Sequence, residues 1–143
     1  MRTVGELLGS KTVLTARPEQ SVFEVAEILA ANNIGALPVV AAGRLVGILS
    51  ERDIIGRVVA VGADPKTTRV EATMTGQPVT VDAGEAPSRA QQLMQQTKCR
   101  HLPVLREGSL VGMISLRDLL QVQISTQESE LQVLSALPER EFE

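Results

Sequence analysis

The 143-residue chain contains one stretch of sequence twice, and this repeat restricts its architecture more than any other feature. Residues 34–55 read IGALPVVAAGRLVGILSERDII and residues 99–120 read CRHLPVLREGSLVGMISLRDLL, in register at a shift of 65 with no gap. Leu37, Pro38, Val39, Gly43, Leu45, Val46, Gly47, Ser50, Arg52 and Asp53 recur as Leu102, Pro103, Val104, Gly108, Leu110, Val111, Gly112, Ser115, Arg117 and Asp118. The fold must therefore be two copies of one unit.

Each copy carries the same order of local signals. Val39-Val40 and Leu45 to Leu49 are β-prone runs on either side of Ala41-Ala42-Gly43-Arg44, which predicts a hairpin turning at Gly43. Val104-Leu105 and Leu110 to Ile114 repeat it around Glu107-Gly108. The runs are nearly continuous in apolar residues, as expected of strands covered on both faces, so helices must do the covering. Ser21-x-x-Glu24 fits a capping box, after which Val22, Val25, Ala26 and Leu29 share one helical face. In the second copy Pro87 suits a first turn, Ala90, Leu93 and Met94 form the stripe, and Gln91, Gln92, Gln95 and Gln96 face water. A further helix is expected just after Ser50 and Ser115, and a leading strand at Thr12 to Thr15 and at Pro78 to Val81.

Each unit is thus β-α-β-β-α in about 60 residues, which is marginal alone. The expected fold is mixed α/β (α+β), with two units packed sheet to sheet about a pseudo-twofold axis. Repeat 1 is placed at residues 1–63, a linker at 64–68 and repeat 2 at 69–124. A polar tail follows at 125–143, and beyond Leu120 the residues Ile124, Leu131, Leu134 and Leu137 could dress one helical face before Pro138.

Composition removes several function classes. Cys99 is the single cysteine and His101 the single histidine, which excludes an internal disulfide and argues against a metal site of the usual ligand count. Residues 1–11 carry Arg2 and Glu6 without a sustained apolar run, unlike a signal peptide. No stretch approaches the roughly 20 apolar residues that span a bilayer. A cytoplasmic protein without a membrane segment is expected. The net charge is −3 and the aromatic residues are Phe23 and Phe142, so there is neither a basic block nor a stacking platform for nucleic acid. Catalysis lacks a convergent nucleophile and base, and the scattered glycines form no phosphate-cradling loop. Cys99 reads as a small packing residue rather than a reactive thiolate.

Chemistry concentrates at Gly47 to Asp53 and at Gly112 to Asp118, where a strand runs into a helix that opens on Ser-x-x-Asp. That pattern caps a helix. The same junction offers free amides and a positive dipole end to an anion, while its carboxylate can accept both hydroxyls of a ribose. Arg52 and Arg117 stand beside it as phosphate ligands. A second clue is an asymmetry: Arg100-His101 precedes Leu102-Pro103 where the first copy has Gly35-Ala36 before Leu37-Pro38. Proline in an apolar strand belongs at an edge or a strand start, so this dipeptide should face an opening. The plainer account makes His101 a half-buried histidine and Arg100 a solvated charge.

The repeated L-P-V, hairpin, L-V-G and S-x-R-D pattern resembles the cystathionine β-synthase (CBS) domain pair, or Bateman module, from about Val4 to Leu120. The chain resembles the small stand-alone members. The resemblance implies a regulatory, energy-sensing homodimer without catalytic activity, binding AMP, ADP, ATP, NAD or S-adenosylmethionine in clefts between the repeats. No other cofactor is implied, and a protein target is left open. By position, Asp53 and Asp118 would hold ribose hydroxyls, with Ser50, Ser115, Arg52 and Arg117 near ribose or phosphate. Thr12, Leu14, Pro78 and Thr80 of the leading strands would help enclose the ligand, as would Ile34, Gly35, Ala36 and Pro38. Arg100, His101, Leu102 and Pro103 match them in the second copy, and Ile48 and Met113 complete the set. Because Gly35-Ala36 lacks the cationic pair, the cleft containing Arg100 and His101 is the better candidate for occupancy. The rival reading is a protein-interaction module with vestigial clefts.

Overall fold

The structure, a computed structural model, describes residues 2–123 and residue 131. Ile124, Leu134 and Leu137 of the expected tail helix lie outside the described residues. Within them, each repeat builds a hairpin: β1 (Ala36–Ala41) with β2 (Arg44–Ser50), and β5 (His101–Arg106) with β6 (Ser109–Ser115). The loops are Ala42-Gly43 and Glu107-Gly108, with φ of 50° and 74° in the first and 52° and 80° in the second. Two consecutive positive φ values make the tight hairpin turn whose twist matches the strands, and glycine takes the second position without strain. Both hairpins shift register at the same place, Val39/Val40 and Val104/Leu105.

A third strand completes each sheet. β3 (Thr75–Gly76) lies antiparallel to β2 at Gly47 and Ile48, and β4 (Val81–Asp82) lies parallel to β5. The leading strands are therefore much shorter than the sequence suggested. Of the first, Ala16 alone bridges, to Val39, donating to the Pro38 carbonyl at 2.9 Å and accepting from Val40 at 2.8 Å. Of the second, pairing begins at Val81. The cause is Pro38 and Pro103, which lack the N–H that the next step of each parallel ladder would use. Pro103 accordingly sits in a central strand, β5, at a level its outer neighbour does not reach.

The helices start where their caps place them. α2 (Val22–Asn32) opens on Ser21, whose hydroxyl accepts from Glu24 N at 3.1 Å, and closes on left-handed Asn33. The expected box is only half made, because the Glu24 carboxylate accepts from Gln20 Nε2 at 3.2 Å instead. α5 (Pro87–Thr97) has Pro87 in its first turn. α3 (Glu51–Ile54) runs into a wider π turn (Ile55–Val59), and a helix over residues 116–123 follows Ser115.

Two short helices, α1 (Val4–Leu8) and α4 (Val70–Thr73), cross between the halves. Val4 is fully buried in the core of Val81, Ala90, Met94, Leu102, Val104, Ile114 and Leu119. Val70, from beyond the linker, is buried with Val22, Val25, Leu29, Leu37, Val39, Leu49 and Val58. The backbone attachments correspond. Val4 N and Gly5 N donate to Glu85 O and Ala83 O at 2.8 Å, while Val70 N and Glu71 N donate to Gln20 O and Pro18 O at 2.9 Å. The sheets meet through β2 and β6. These strands are covered less completely than expected: Gly47, Leu49, Gly112 and Ile114 are buried, while the residues between them are partly open toward the seam. No helix among the described residues is long and apolar enough to cross a membrane.

Candidate functional site

The seam between the halves holds a cleft of about 970 Å³, within the range of small-molecule sites. Its first-half wall runs from Lys11 through Leu14, then Asn33 to Pro38 and Glu51. The second half contributes Arg100, His101, Met113, the junction Ser115 to Asp118, and Gln121. A smaller hollow of about 370 Å³ adjoins it and shares Asn33, Ile34, Gly35, Glu51 and Arg117.

Strand pairing fixes the polar end. His101 pairs directly with Ser115 across β5 and β6, and Leu116 N donates to Arg100 O at 2.8 Å, so the Arg100-His101 dipeptide abuts the helix start. Ser115 and Asp118 form a reciprocal cap: Asp118 N donates to Ser115 Oγ and Ser115 N to Asp118 Oδ2, both at 3.0 Å. Among the described residues no hydrogen-bond donor reaches the other oxygen, Oδ1. It is free to accept from a ligand hydroxyl. Arg100, Arg117 and Lys11 line the same cleft and are exposed. The titration of His101 is lowered, chiefly by burial, against the raising influence of Glu51 and Asp118 and with a smaller lowering influence from Arg100. Its imidazole is consequently neutral at pH 7 and offers one donor and one acceptor.

Asp53 makes the same cap, with Ser50 N and Asp53 N each at 3.1 Å from their partners. Its remaining oxygen is already engaged. Thr75 Oγ1 donates to Asp53 Oδ1 at 3.4 Å and Arg57 Nη1 lies 3.8 Å away. Arg57 is itself held by the carbonyls of Thr73 and Met74 at 2.9 and 3.2 Å. In the repeat, Val122 stands where Arg57 does.

The cleft thus gathers Thr12, Leu14, Ile34, Gly35, Ala36, Pro38, Arg100, His101, Met113, Ser115, Arg117 and Asp118. Ile48, Ser50, Arg52, Asp53, Pro78 and Thr80 do not line it; the first four are the counterparts of Met113, Ser115, Arg117 and Asp118 and belong to the first half's own helix start. Leu102 is fully buried in the second core, and Pro103 also stays out of the cleft. Sequence reasoning missed Lys11, Asn33, Glu51 and Gln121. The signal for Glu51 was its counterpart Leu116, a charge where the repeat has none. Cys99 packs beside the second core and donates to Thr97 O at 3.6 Å.

The family model for the CBS domain matches this chain twice, over residues 4–60 and 70–125. The chain belongs to the CBS domain family. It is 37% identical over 117 residues to the CBS domain-containing protein YhcV of Bacillus subtilis, covering 82% of this chain and 83% of that protein. A putative signal-transduction protein with CBS domains from Burkholderia ambifaria superposes with a TM-score of 0.83 at 35% identity, over 87% of this chain and 96% of that one. The CBS domain protein PAE2072 of Pyrobaculum aerophilum, solved in complex with AMP, has a TM-score of 0.75 at 31% identity, over 81% of this chain and 88% of that one. Each CBS unit, as matched in sequence, begins with a short helix that packs on the other unit.

Proposed function

We propose that this CBS pair is a regulatory module that binds one adenosyl nucleotide of the AMP class per chain, in the cleft containing Asp118, and catalyses no reaction. The observation that carries the reading is the difference between the two capped carboxylates. Asp118 keeps an unengaged oxygen beside His101, Arg100 and Arg117, whereas Asp53 is occupied by Thr75 and Arg57. A ribose diol on Asp118 would set its 5′-phosphate toward the helix start and the cations, where the helix dipole and positive charge favour an anion. Exposed Leu14 and Ile34, with Met113, supply apolar surface for a purine. AMP in the related PAE2072 supports the ligand class.

Ile55, Val59 and Val61 are 61%, 63% and 68% exposed on and just after the π turn. This run supports association of two pairs into a homodimer, and it also suits the rival reading of an interaction module with an empty cleft. The two readings part in a thermal-shift panel of AMP, ADP, ATP, NAD and S-adenosylmethionine, followed by calorimetry. A ligand-dependent rise in melting temperature with one site per chain supports the sensor. No shift with any of them at millimolar concentration leaves the interaction module.

A further inference from the structure

Glu51 stands at the start of α3, in the half opposite Asp118. Its N–H donates to Gly35 O at 2.9 Å, as that of Leu116 donates to Arg100 O at 2.8 Å in the repeat. Leucine does the same local work in the second half, so the fold itself does not call for a charge at this junction. The Glu51 side chain nevertheless lines both the large cleft and the adjoining hollow. A Cβ placed on Gly35 would lie 3.3 Å from Glu51 Oε1 and 3.1 Å from His101 Nε2. The carboxylate and the imidazole therefore close together over the bare α-carbon of Gly35, at the point where the halves meet. His101 is in turn the cross-strand partner of Ser115, the cap of Asp118.

We infer that Glu51 makes the cleft a selector for nucleoside monophosphates, excluding di- and triphosphates by repelling a phosphate chain that extends past His101. The inference rests on the nucleotide reading above. A ribose on Asp118 and an α-phosphate beside Arg100 and His101 leave the first-half wall as the way onward; of the two charges on that wall, Lys11 and Glu51, Glu51 is the one that meets His101 over Gly35. A β- or γ-phosphate there adds negative charge next to a carboxylate in a cleft only partly open to water. Like charges at such separations weaken binding by on the order of tenfold or more.

The test is calorimetry of AMP and ATP on the full chain and on Glu51→Gln, in buffer with EDTA so that no divalent cation bridges the charges. Wild type is expected to bind AMP on the order of tenfold more tightly than ATP. Glu51→Gln should tighten ATP by a similar factor and change AMP by less than about threefold, while Glu51→Asp should retain part of the discrimination. The melting curve of the ligand-free variant checks that it folds. Equal affinity of wild type for AMP and ATP, or a parallel change in both on Glu51→Gln, overturns the inference while leaving the nucleotide reading standing. Failure of every adenosyl ligand on wild type overturns that reading and this one with it.

Discussion

Asp53 and Asp118 are the same residue in the same capping box, and they differ in what meets the second carboxylate oxygen. Thr75 and Arg57 occupy Asp53 Oδ1, while Asp118 Oδ1 opens on the cleft. Asp118→Ala should therefore weaken AMP binding by about 1.5–3 kcal/mol, through loss of charge-assisted hydrogen bonds, and lower stability by the roughly 1 kcal/mol of a lost cap. Asp53→Ala should lower stability by at least as much and leave affinity within about threefold. Calorimetry and melting curves on both variants decide, and an equal loss of affinity would refute the single-site reading. His101 gives a second prediction. Burial lowers its titration below the ordinary 6.5 despite Glu51 and Asp118, with Arg100 adding to the lowering. As pH falls through that ordinary value the unfolded chain takes up a proton before the folded one does, so stability declines toward acid and the contribution is absent well above it. Relative to wild type, His101→Asn should lose stability less steeply between about pH 7 and pH 5.5; identical slopes would sink this account. The repeat alone picks out Asp118, Ser115 and the Arg100-His101 asymmetry. It marks Glu51 and Arg57 only as charges opposite Leu116 and Val122 and leaves their roles hidden, because those depend on contacts across the seam or between elements far apart in sequence.

At the scale of elements, hairpins and helix starts were legible because each has a local cause: positive-φ turn residues, a serine before a helix, a proline in its first turn. Leading strands were overread, since apolar β-prone residues at 12–15 and 78–81 cannot show that a distant proline withholds the N–H they would need. The crossing of α1 and α4 was equally hidden. Its imprint is the pair Gly47 and Gly112 on the two seam strands. A Cβ on Gly47 would lie 2.6 Å from Met74 Sδ and 2.8 Å from the Thr75 carbonyl; on Gly112 it would lie 2.6 Å from Leu8 Cδ1. Backbone cannot yield as the end of a leucine can. Gly47→Ala should accordingly cost about 1–3 kcal/mol and detach β3, while Gly112→Ala should cost less than about 1 kcal/mol. Urea melts of both variants test the order, and a larger loss at Gly112 would show that Leu8 is the more tightly held.

For the whole molecule, the crossed helices mean that the linker is not where the cores divide. A cut at residues 64–68 leaves the first core without Val70 and Met74, and the second without Val4, Leu7 and Leu8. Units of about 60 residues are marginal even when complete, so loss of one buried valine and its neighbours removes much of what holds them. The N–H groups of Val4, Gly5, Val70 and Glu71 would lose their carbonyl partners as well. A piece spanning residues 10–77 keeps the first core together with α4 and β3, whereas residues 1–66 keep α1, whose partner core is absent. We expect residues 10–77 to unfold cooperatively and at a higher temperature than residues 1–66, although the two pieces are nearly equal in length. Circular dichroism melts of the two pieces decide between them. If residues 1–66 melt at the higher temperature, each repeat is a self-contained unit and the crossed helices are ornamental; the reverse order makes the segment that includes the crossed helix, rather than the sequence repeat, the unit of folding.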